Sequence, residues 1–89
     1  MDTKAKFDMM QKVSRELDDL KNSQEAIIKK VSQIEAHNIE LNDSNLDETL
    51  SGIHEQIAES LTIVTETATT FQEKTSQFAA ENSAALSAE

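Results

Sequence analysis

Counted from Met10 in alternating steps of three and four, the chain reads Met10, Val13, Leu17, Leu20, Gln24, Ile27, Val31, Ile34, Asn38, Leu41, apolar at every step but Gln24 and Asn38. This is the signature of a long amphipathic helix whose apolar stripe faces another helix. With Met10 at heptad position a, Leu17, Gln24, Val31 and Asn38 also fall at a, and Val13, Leu20, Ile27, Ile34 and Leu41 fall at d. A stripe of this span is on the order of 48 Å long, so it needs an equally long partner. Polar residues in the a layer act by fixing register, and Gln24 and Asn38 are read in that way, with recognition of a specific ligand as the other reading.

The stripe stops at Asn42-Asp43-Ser44-Asn45, four residues whose side chains compete for nearby backbone groups and favour turns and caps. Ser44 followed by Asp47 imitates a capping box, and Asp47-Glu48 puts negative charge where a helix start favours it. A second helix is expected from there, with Leu46, Leu50, Ile53, Ile57, Leu61, Val64, Ala68, Phe71 and Phe78 on one face and polar Thr75 and Asn82 continuing it. The steps Ile53 to Ile57 to Leu61 drift from strict heptads. The threonines between Thr62 and Thr70 lower helix propensity, so packing must hold that stretch helical. Gly52 either lies inside this helix or precedes its true start.

Two long helices joined by a short connection fold back on each other. The expected fold is all-α, an antiparallel helical hairpin in one domain over 1–89: helix 1 about 4–41, turn about 42–45, helix 2 about 46–82 and a frayed tail 83–89 anchored only by Leu86. Such a pair leaves Phe7, Ile28, Ile39 and Ile63 partly in water, which a four-helix bundle with a partner or a second copy would cover. The competing arrangement is a parallel homodimeric coiled-coil rod, in which Glu16 meets Lys21 and Lys30 meets Glu35 as opposite-charge pairs. That rod would serve as a structural homo-oligomeric subunit.

Composition supports helix throughout: the sequence has no proline, no cysteine and one glycine. Without cysteine there is neither a disulfide nor a thiolate metal site, so association with another chain is the natural completion of a thin core. The net charge of −9 is uneven, because residues 42–89 carry Lys74 as their one cation among the Lys/Arg side chains. An acidic half repels phosphate backbones and anionic lipid, so neither nucleic acid nor membrane is an expected partner. Met1 to Phe7 lacks the apolar core of a signal peptide. The chain is expected to be cytoplasmic, and any export to need no cleaved leader.

No catalytic constellation is present in the pattern, and no enzyme activity or cofactor is expected. His37 and His54 flank the turn and are read as solvated histidines, with a weak metal constellation alongside Glu35 or Glu55 as the alternative. Asp18-Asp19 and Asp47-Glu48 lack the loop spacing of a calcium site and are read as solvated surface and helix-start charge. Phe71 and Phe78 are read as core, and secondarily as a ridge for a third helix.

A hairpin of two long helices with Leu50-Ser51-Gly52 near the turn and an acidic second helix rich in threonine and alanine resembles the WXG100-like proteins of bacterial type VII secretion. These include the small helical partners of LXG toxins. Leu50-Ser51-Gly52 stands where that family carries Trp-x-Gly, keeping the glycine and an apolar residue. The family often places an acid four residues after an aromatic near the end of helix 2, where this chain has Phe71 with Thr75 and Phe78 with Asn82. The resemblance implies an accessory targeting factor that covers the N-terminal helices of a larger effector. Its implied partner-binding residues are Leu17, Leu20, Ile27, Val31, Ile34, Leu50, Gly52, Ile53, Ile57, Leu61, Val64, Phe71 and Phe78.

Overall fold

The computed structural model describes residues 1–87 and consists of α1 (Thr3–Leu41), α2 (Ser44–Glu81) and a short α3 (Ser83–Ser87). α1 and α2 pack antiparallel as a hairpin whose long dimension is 64 Å. One continuous helix of some 80 residues would measure about 120 Å, so the chain turns back on itself rather than extending. No strand occurs among the described residues.

Local chemistry explains each helix end. The Asp2 side chain accepts the Ala5 N–H at 2.7 Å and caps α1. α1 ends where Asn42 adopts the left-handed conformation at φ 58°, its N–H bonded to the Asn38 carbonyl. Asparagine is among the few residues other than glycine that enter this region readily. Asp43 follows at once as the cap of α2, its side chain accepting the Leu46 N–H at 2.9 Å. The connection is therefore only Asn42 and Asp43, and the cap is Asp43 rather than Ser44. A neighbouring aspartate with the right backbone geometry takes the role that the spacing suggested for the serine.

α2 runs unbroken through Gly52, so the helix starts before the glycine. It also runs unbroken through the threonine-rich stretch, where Thr62 donates to the Ala58 carbonyl and Thr67 to the Ile63 carbonyl. These back-bonds occupy hydroxyls that would otherwise compete with the helix. Residues 83–87 are helical rather than frayed, with Leu86 half-buried and its N–H bonded to the Asn82 carbonyl. The remainder of the expected tail lies outside the described residues.

The seam between α1 and α2 is thin. Met10, Val31 and Leu50 are its buried apolar residues, joined by buried Asn38 and Thr75. Its α1 side combines the a positions with their neighbours at e, where Phe7, Ser14, Lys21, Ile28 and Glu35 are half-buried or intermediate. The d positions are displaced from it. Contacts made at e account for this rotation: the Phe7 ring stacks on Phe78 with centroids 6.5 Å apart, and Glu35 Oε1 lies 2.9 Å from His54 Nδ1. Phe7 and Ile28 are consequently seam residues, whereas Ile39 and Ile63 are exposed.

Candidate partner-binding site

The rotation of α1 splits its sequence stripe into two uses. Position a faces α2. Position d, about 50° round the helix from a in a heptad projection, stands on one margin of the hairpin. There Leu20 and Ile27 are each 45% exposed and Ile34 is 39% exposed. On α2 the seam runs through Leu50, Ile57, Val64, Phe71 and Phe78 with His54, Leu61, Ala68 and Thr75 beside them.

The pairing of Phe7 with Phe78 and Glu35 with His54 fixes which α2 residues share the d margin. Ile53, Ser60, Thr67, Lys74 and Glu81 occupy the corresponding positions. Lys6, itself at d, lines one groove of about 390 Å³ together with Lys74, Phe71, Phe78 and Glu81, which places the two d series on the same side. The Lys6 ammonium lies 5.3 Å from the centre of the Phe78 ring. Ile63, on the outer flank of this side, is 63% exposed.

The opposite margin is different in kind. Ser14, Arg15, Asp18, Asp19, Ala68 and Gln72 line a groove of about 450 Å³ there. Asp18-Asp19 is thus polar surface over a stretch where the facing helices carry small side chains. Of the carboxylates within α1 and α2, Glu16 and Glu81 fall at positions facing the apolar margin, and Glu66 lines a groove on the same side with Thr67, Thr70 and Lys74. The charge of −9 is therefore concentrated away from it.

The residues implied as partner-binding separate accordingly. Leu17, Val31, Leu50, Ile57, Leu61, Val64, Phe71 and Phe78 are engaged in the intramolecular seam, buried or half-buried. Leu20, Ile27, Ile34 and Ile53 are free on the apolar margin. Gly52 is exposed, and a Cβ built on it meets nothing within 4 Å. Its backbone makes no close approach within the chain. Ile63 and Leu41 add to the exposed apolar surface; Ile63 was legible in the sequence only as a flanking residue.

The turn chemistry is structural. Asn38 is 5% exposed, and its carboxamide bonds the backbone of Asp43 at both ends. His54 meets Glu35, while His37 is exposed on another face, so the two imidazoles do not converge. No group of three or more metal-ligating side chains occurs among the described residues. Thr75 and Asn82 each donate to the carbonyl of the aromatic four residues earlier, Phe71 and Phe78. Both positions where the resembled family often has an acid are thus occupied by inward hydrogen bonds to α2 itself.

Among the described residues no helix is long and apolar enough to cross a membrane. No family profile matches the chain, and no curated protein or solved structure matches it either.

Proposed function

We propose that this chain is a non-enzymatic helical interaction protein, a WXG100-like targeting partner that covers the N-terminal helices of a larger type VII secretion effector. The observation that carries the reading is the apolar margin: Leu20, Ile27, Ile34 and Ile53 stand on one side of an otherwise acidic hairpin, unused by its own fold. Exposed aliphatic side chains aligned on one side of a helix pair mark a place for another protein. An amphipathic helix laid along it adds a third layer to the pair, as in a helical bundle. At about 25 cal/mol per Å², 800 Å² of apolar contact is worth about 20 kcal/mol before association costs are subtracted.

Coexpression with the N-terminal helices of an LXG-type effector tests the reading. Co-purification is expected, to be lost in Ile34→Glu and kept in Ser32→Glu, which lies on the other margin. If the wild-type chain binds no such effector, or if Ser32→Glu abolishes binding and Ile34→Glu spares it, the reading is wrong.

A further inference from the structure

The seam between α1 and α2 is uneven along its length. Its buried residues fall toward the two ends: Met10 and Thr75 at the open end, and Val31, Asn38 and Leu50 toward the turn. Between Met10 and Val31 on α1, and between Leu50 and Thr75 on α2, every residue is half-buried or exposed.

The two ends are held by different chemistry. At the open end the Phe7 ring stacks on Phe78, Met10 and Phe71 line one groove with Phe78, and α3 comes against α1 with Leu86 half-buried. Toward the turn, Asn38 bonds both backbone groups of Asp43, and Glu35 meets His54. The waist between them is poor in both kinds of tie. At positions a and e between Met10 and Ile28, α1 carries Ser14, Leu17, Lys21 and Gln24, of which Leu17 alone is apolar. A lysine and a glutamine half-buried in a seam gain little, because desolvating polar groups is costly. Across from them lie Leu61, Val64, Thr65 and Ala68, in and beside the threonine-rich stretch whose helix propensity is low. Where small Ser14 and Ala68 face the second margin, a groove of about 450 Å³ opens.

We propose that the aromatic end opens at this waist as one cooperative unit while the turn end stays closed. Helices this short are marginal in water without a neighbour, so the freed segments, 3–13 and 71–87, lose their backbone bonds together. Opening releases Phe7, Met10, Phe71 and Phe78 from the seam. Ile27, Ile34 and Ile53 of the apolar margin stay on the closed part, and the proposal stands independently of the effector reading above.

Amide hydrogen exchange of the full chain, resolved by residue, tests it. Amides of Phe7–Val13 and Phe71–Phe78 should share one level of protection, and those of Ile28–Asn38 and Leu50–Ile57 a level at least about tenfold higher, with the step at the waist. Asn38→Ala weakens a tie that the half-open state keeps, so it speeds exchange at the turn end by about fivefold and leaves the aromatic end unchanged. Phe78→Ala weakens a tie lost in both the half-open and the unfolded states, so it speeds exchange at both ends. Retained helical circular dichroism shows that each variant is folded. As a separate measurement on the otherwise wild-type chain, nitroxides on Gln11→Cys and Ser76→Cys should move apart at a lower urea concentration than those on Ser32→Cys and Glu55→Cys. Equal acceleration of both ends by Asn38→Ala, protection that declines steadily from turn to open end without a step, or simultaneous separation of the two label pairs overturns the proposal.

Discussion

The carboxamide of Asn38 holds the backbone of Asp43 from both sides: Nδ2 donates to the Asp43 carbonyl at 3.0 Å, and Oδ1 accepts the Asp43 N–H at 3.2 Å. One buried side chain thereby closes the connection between α1 and α2. Asn38→Ala removes both bonds but leaves the Asp43 carbonyl its bond from the Asp47 N–H, so it should cost about 1 kcal/mol. In a domain of this size that lowers Tm by roughly 4–8 °C per kcal/mol. Thermal denaturation followed by circular dichroism gives the answer, and an unchanged Tm would show that the turn closes without the amide.

Gly52 offers the opposite sign. It lies inside α2 and faces open space, so Gly52→Ala adds helix propensity without a clash. Stabilisation of about 1 kcal/mol is expected. A destabilised variant would reveal a close approach that the hairpin does not contain.

At the open end, Phe7 and Phe78 form the aromatic contact that holds the two helices together. Both rings are half-buried, so Phe78→Ala should cost less than a full core truncation, about 2 kcal/mol. Phe78→Leu should recover part of this by keeping apolar area. Equal losses from the two substitutions in urea denaturation would place the contribution in the ring geometry.

The Glu35–His54 contact is short, but its side chains are 35% and 39% exposed. Solvent screens such a pair. A double-mutant cycle with Glu35→Gln and His54→Gln should give a coupling below about 1 kcal/mol, smaller still at high salt. A coupling several times larger would make this pair, and not the Asn38 lock, the main polar tie near the turn.

Helix content, chain reversal and the break near Asn42 were all legible from periodicity and turn chemistry, because those signals are local. The rotation of α1 was not. Val13, Leu20, Ile27 and Ile34 look as apolar as Met10, Leu17 and Val31, and a heptad pattern alone does not say which series faces the neighbouring helix. Phe7 with Phe78, Glu35 with His54, and the placement of Asn38 decide it, and each is a contact between side chains distant in sequence or set by the turn. The candidate site was legible in part for the same reason: its residues were identifiable as apolar, but their division between seam and margin depends on that rotation. The Asn38 side chain was read as a register device in the a layer; its bonds go to the turn backbone at Asp43.

The two-residue link of Asn42 and Asp43 leaves no slack between the helices. One residue inserted there would swing the following α2 face through about 100°, carrying Leu50 and Ile57 away from α1 and presenting other side chains in their place. Length between Asn38 and Leu50 is thus a phase setting for the whole molecule. Extra turns at the far ends would merely lengthen the hairpin, whereas a single insertion at the bend would change which side of α2 is wet.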